Sequence, residues 1–119
     1  MAAPNLRAPT TITGKTAGYA CTTTLASALA NGASSGKVLK VNTIRAANID
    51  NAAAFTVDVS LFRGGVHRYI AKDVSIAAAS TAVLVTKEEY FYLEEDDAIY
   101  ARCPTASKID LTITYEDIS

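Results

Sequence analysis

Hydrophobic residues recur along this 119-residue chain with a period of two, the rhythm of strands that bury one face. "AFTVDVSLF" is the cleanest run: Phe55, Val57, Val59 and Leu61 share one face, Thr56, Asp58 and Ser60 the other. "KIDLTITYEDI" repeats it, with Ile109, Leu111, Ile113 and Tyr115 inward and Asp110, Thr112, Thr114 and Glu116 outward. In "RYIAKDVSI" Ile70, Val74 and Ile76 point inward, and Lys72 is the odd member, which suits a sheet edge. The clusters "NGASSG" (31–36), "NIDNAA" (48–53), "RGG" (63–65) and "CPTASK" (103–108) supply the Gly, Pro, Asn, Asp and Ser of tight reversals. Strands are predicted over residues 10–16, 19–28, 37–48, 54–63, 66–77, 81–86, 89–93, 98–103 and 108–117, about eight if a middle pair is one long bent strand. "TTLASALANGA" has the alternative of a turn or two of helix on Leu25, Ala26, Leu29 and Ala30, but Thr22 to Thr24 favour extension. The expected fold class is all-β, an antiparallel β-sandwich with jelly-roll or immunoglobulin-like topology. Residues 1–10, bearing Pro4 and Pro9, read as an extended N-terminal arm, and residues 11–119 as a single domain.

Composition narrows this picture. Half of the residues are hydrophobic, yet 22 are Ala and 14 are Thr, so the bulky core rests on 25 Val, Ile and Leu and three Phe, without Trp. Such small residues suit close packing against a neighbouring subunit. The net charge is −1 with no polybasic run, which argues against nucleic-acid partners. No apolar stretch approaches the roughly 20 residues that span a bilayer, which argues against a membrane role. The start "MAAPNLRAPTTITG" has no hydrophobic signal region and reads as an arm. Cys21 and Cys103 lie outside any C-x-x-C pattern and are expected to be free, buried thiols, not a disulfide or a zinc site.

"EEYFYLEEDDAIYARC" (88–103) is the one stretch that invites chemistry. Strand alternation runs through Phe91 and Leu93, breaks at Glu94 and resumes at Ile99, so Glu94, Glu95, Asp96 and Asp97 occupy a reversal. Glycosidase carboxylates project into a cleft from separate elements, and a calcium loop needs alternating ligands and a glycine. The four acids are therefore expected to form a solvated turn, tolerant of exchanging Glu94 and Asp97 for Asn and Ser. "DDAIYARC" resembles the immunoglobulin D-x-A-x-Y-x-C, but Tyr100 and Cys103 are three apart and fall on opposite faces. His67, the only histidine, has no nucleophile motif around it and reads as a surface or edge residue. Gly64-Gly65 reads as a turn. Tyr90 and Tyr92 share the face opposite Phe91 and Leu93, so that segment is apolar on both sides: either a partner covers the second face or the strand is central and fully buried.

"KVLKVNTIRAANIDN", "AFTVDVSLFRGG", "HRYIAKDVSIAAASTAVLV", "YFYLEEDDAIYARC" and the ending "IDLTITYEDIS" together resemble small virion structural proteins of tailed bacteriophages, cyanophages among them, from about residue 10 to the end. The "YLEEDD" turn and terminal "YEDIS" carry most of the likeness, and Asp96 stands where that pattern has Gly. The resemblance implies a non-enzymatic β-sandwich subunit present in many copies on the virion, assembled in the host cytoplasm. The reading that follows is a capsid decoration (cement) protein, a homotrimer that bridges subunits of the major capsid protein. Its expected contacts are Pro4, Leu6, Pro9, Tyr90 and Tyr92, with no catalytic residue, metal, cofactor or small-molecule substrate. A neck, tail or fibre subunit, a carbohydrate-binding sandwich using exposed aromatics, and an enzyme centred on residues 94–97 are the alternatives.

Overall fold

The structure, a computed structural model, describes residues 4–119, so Met1 to Ala3 of the expected arm lie outside the described residues. Nine strands form in chain order: β1 (Ile12–Ala20), β2 (Ala26–Ala30), β3 (Val38–Asn48), β4 (Phe55–Arg63), β5 (Val66–Ile76), β6 (Thr81–Val85), β7 (Phe91–Leu93), β8 (Ala98–Arg102) and β9 (Ile109–Ile118). A short 3-10 turn, Lys87–Glu89, separates β6 from β7. One sheet has the order β1-β9-β3-β6, with β7 also pairing β3, and the other has the order β2-β8-β4-β5. Every pairing is antiparallel.

The chain is thus a two-sheet sandwich, as its alternation predicts. Its pairs are nested: β4 with β5 innermost, β3 with β6 and β7 around them, then β2 with β8, and β1 with β9 outermost. Of the two expected topologies this is the jelly roll, two interlocked Greek keys. The inner faces meet in a core whose fully buried members include Val41, Ile44, Val59, Ile99, Leu111 and Ile113. The innermost hairpin turns on Gly64 and Gly65 alone, at φ +60° and +76°, the double left-handed turn that matches strand twist and that glycine adopts without strain.

Two details differ from expectation. The first break falls at Cys21–Leu25 instead of near Gly18, because β1 stays paired with β9 as far as Ala20 opposite Asp110. "ASALA" is extended, as expected, and not helical; β8 pairs with it. Asp58 and Ser60 do lie opposite the core face of β4, yet they are buried, because β4 is an interior strand with its outer side covered by neighbouring side chains. Lys72 stands on an edge strand as predicted: β5 pairs only with β4. There Asp73 takes a left-handed φ of +52° and the register slips, which turns Lys72 out toward Asp58.

Candidate functional site

One end of the sandwich is open and lined by clefts. It is where Ile12, Val38 and Leu93 begin or end their strands, with Ile118 and Ser119 beside them. The arm returns to this end. Asn5 to Ala8 close a small turn, with Ala8 N–H donating to Asn5 O at 3.0 Å and Arg7 N–H to Asn5 Oδ1 at 3.0 Å. Thr11 and Ser119 exchange backbone bonds of 3.0 and 2.9 Å, which ties the arm to the end of β9.

Pro4, Leu6, Val38, Tyr92 and Glu94 line a cleft of about 270 Å³. A second cleft, about 330 Å³ and mostly apolar, is lined by Leu61, Arg63, Ile70, Phe91, Tyr92 and Glu94. Tyr92 and Glu94 are walls of both, so the two form one surface. Tyr90, 46 % exposed, meets the Tyr92 ring edge-on at 5.8 Å and carries Lys40 Nζ 4.2 Å above its face. Of the five residues expected to make contacts, Pro4, Leu6, Tyr90 and Tyr92 come together here. Pro9 is half-buried and lines neither cleft. β7 is an edge segment and not a central one, so the second apolar face of this stretch is met partly by the chain's own arm.

The acidic stretch is a turn, solvated at Glu94 and Asp96 but not at Asp97, which is buried. Asp97 N–H donates to Glu94 O at 3.1 Å, and Glu94 N–H donates to Asp97 Oδ2 at 2.7 Å. The Asp97 side chain is 4 % exposed and accepts a forked pair from Arg63: Nε at 3.0 and 2.9 Å, Nη2 at 2.6 Å. Arg63 Nη2 also lies 2.9 Å from Glu94 Oε2. The Asp97 hydrogen bond raises the Arg63 pKa above its ordinary value. Backbone bonds between Asn31 and residues 96 and 97, and one from Gly36 N–H to Glu95, stitch the turn to the 31–36 loop. Asp96 sits at φ +71°, the left-handed region. That is the physical reason a glycine would fit this position. The expectation that Asp97 could be exchanged freely is therefore corrected: it anchors the turn.

Three polar clusters escaped the sequence reading. Asp117 is buried and accepts from Lys15 Nζ at 3.0 Å and Lys37 Nζ at 3.2 Å. Burial opposes its charge, but the two lysines outweigh this and lower its pKa, while Asp117 raises that of Lys15. Asp58 is similar: burial works against its charge, and Asp73 N–H at 2.7 Å, Lys72 and Arg102 more than offset it, lowering the pKa. On the outer face of the second sheet Phe62, His67 and Tyr100 form a packed triangle with ring centroids 4.5 to 5.1 Å apart. Beneath it Ser60 Oγ lies 3.0 Å from His67 Nδ1. So His67 has a partner that the linear sequence did not offer. Ser60 is 0 % exposed, which leaves its hydroxyl positioned to orient the imidazole and closed to a substrate. The signal available was the apolar doublet Leu61-Phe62, which places bulk on both faces of β4.

The other end is sealed. Cys21 and Cys103 are free and buried, and Cys103 Sγ lies 2.7 Å from Thr105 O. Burial, and then the neighbouring Cys103, pushes the Cys21 thiol up to about 12. Asn48 donates its amide to Ala53 O and Ile76 O, both at 2.9 Å. Asp50 accepts from Lys108 at 2.8 Å and from Ala52 and Ala53 N–H, which together hold it at about 2. Among the described residues no three His, Cys, Asp or Glu side chains converge as a metal set would, and no helix is long and apolar enough to cross a membrane.

No protein-family model matches the chain, and no curated protein matches it either. Among solved structures it is similar to a chain described under "Bacillus endospore appendages form a novel family of disulfide-linked pili", at 14 % identity and a TM-score of 0.52, over 92 % of this chain and 87 % of that one. At that identity the likeness speaks to the sandwich fold.

Proposed function

We propose that this chain is a non-enzymatic structural subunit of a tailed-bacteriophage virion, a capsid decoration protein that holds neighbouring capsid subunits together as a homotrimer. The observation that carries this reading is the continuous apolar surface around Tyr92, built on rigid strands and half-roofed by the chain's own arm. A surface of this kind works by burial, at about 25 cal/mol per Å², so a few hundred Å² per contact repeated over many copies stiffens a shell under internal pressure. The charged groups support it: Glu94 and Asp97 are both engaged by Arg63, and Asp58 and Asp117 by their own cations, so each carboxylate serves the scaffold.

Purified protein mixed with undecorated capsids should pellet with them in near-stoichiometric amount, and Tyr92→Glu should leave it in the supernatant. Wild-type protein that stays wholly in the supernatant refutes the decoration role. A second reading, a subunit of a tail fibre or comparable filament, is favoured by the fold it shares with a pilus protein. Cys21 and Cys103, at 0 % and 1 % exposed, are not placed to link copies by disulfides, so a filament of this chain would rest on non-covalent contacts. Filaments in micrographs of the purified protein, with no capsid binding, would select that reading.

A further inference from the structure

The sandwich has four lateral edges, and three are blunted. β2 is five residues long with a register slip between Ser27 and Leu29. β5 carries two slips, the left-handed Asp73, and Arg68 and Lys72. The edge made by β6 and β7 is interrupted by the turn at Lys87–Glu89. Short strands, bulges and charges are the devices that keep sheet edges from pairing. β1 is neither short nor bulged, and its one charge, Lys15, is held by Asp117. It is nine residues long, has no proline, and pairs with β9 without a slip from Ile12 opposite Ile118 to Ala20 opposite Asp110.

The direction of its free groups follows from the ladder. Thr11 exchanges bonds with Ser119, and Cys21 N–H donates to Ile109 O, so the odd residues of this strand face β9. The even residues Ile12, Gly14, Thr16, Gly18 and Ala20 therefore present their N–H and C=O groups to the open side. All five are exposed. The only charge on the strand is Lys15, already bound to Asp117.

The geometry points to β1 as a pairing edge whose partner is β1 of a second copy of this chain, antiparallel and centred on Thr16. In that register Ile12 lies opposite Ala20, Gly14 opposite Gly18, and Thr16 opposite its own equivalent on the two-fold axis. Every even residue then meets an even residue, so each exposed donor finds an acceptor, about ten interchain hydrogen bonds in all. Small side chains face one another across the joint and no like charges lie directly opposite. The two sheets that contain β1 become one continuous sheet. The contact has two-fold symmetry, so on a particle it joins neighbouring assemblies and is separate from any three-fold contact. It does not depend on the Tyr92 surface.

The test uses the full chain and measures association against concentration by light scattering and native mass spectrometry. Thr16→Pro removes an N–H that points away from β9, so the fold should survive while association weakens by about tenfold or more. Thr16→Lys and Thr16→Glu should each abolish pairing alone, and an equimolar mixture should restore it as the mixed pair. A wild-type chain that shows no two-fold species up to millimolar concentration overturns the proposal, as does unchanged association in Thr16→Pro and Thr16→Lys. Loss in both charge variants without recovery on mixing also overturns it, because β1 would then be pairing with a different edge or a different protein.

Discussion

The two ends of the sandwich solve the same problem with different chemistry. Each has a buried asparagine whose amide spans two carbonyls: Asn31 donates to Lys37 O and Leu93 O at the open end, and Asn48 to Ala53 O and Ile76 O at the sealed one. Around that shared device the open end uses ion pairs, Arg63 with Asp97 and two lysines with Asp117. The sealed end has one ion pair, Lys108 with Asp50, and relies besides on two buried thiols and backbone bonds that lace Cys21, Thr22, Cys103 and Ser107 together. Charges tolerate water and leave room for clefts. Thiols and backbone ladders need water excluded. The difference goes with the placement of the apolar clefts and the arm at the open end.

The largest expected effect comes from breaking the open end's clamp. Arg63→Ala leaves the Asp97 carboxylate, 4 % exposed, with the Glu94 N–H and no cation, and should lower stability by about 3 kcal/mol in urea denaturation. Lys108→Ala at the sealed end should cost clearly less, because Asp50 keeps its bonds from Ala52 and Ala53. Equal losses would erase the distinction between the ends.

Acid and alkali should then separate the carboxylates from the thiols. Asp58, Asp117 and Asp50 are all depressed in the folded chain, Asp50 to about 2. Their contribution is fully present above the ordinary carboxylate range, about pH 4, and is lost as pH falls through their folded values. Melting temperature should drop steadily from about pH 4 toward pH 2, and Asp117→Asn should flatten that slope. Cys21 runs the opposite way. Its folded pKa of about 12 lies above that of a free thiol, about 8.5, so stability should decline as pH rises beyond that value. The folded protein at pH 8 should resist iodoacetamide at both cysteines, as read by mass spectrometry, and react fully when unfolded; rapid labelling of the folded chain would show that the sealed end is not sealed.

The smallest effect sharpens the turn itself. Asp96 occupies a left-handed backbone position, so Asp96→Gly should stabilise the chain by about 0.5 to 1 kcal/mol in the same urea assay. A loss would show that the Asp96 side chain does something the backbone angle does not reveal.

The strands and turns were legible in the string of residues. Period-two alternation is local, because each residue's side is set by its neighbours' pleat, and so Val57 and Val59, or Ile109, Leu111 and Ile113, could be placed inward from the string alone. The turns were equally local: Gly64-Gly65 and the four acids carry their own backbone preferences. The wrapping of the whole chain set which strands became neighbours, and everything at the open end follows from that. Arg63 reaches Asp97 across 34 positions, Lys15 reaches Asp117 across 102, and Ser60 meets His67 because β4 and β5 fold back on each other. It also decided which strands were edges, leaving β1 bare and covering both faces of β4. A strand's buried face is written in its own residues, whereas its hydrogen-bonding partners depend on residues far away in the chain.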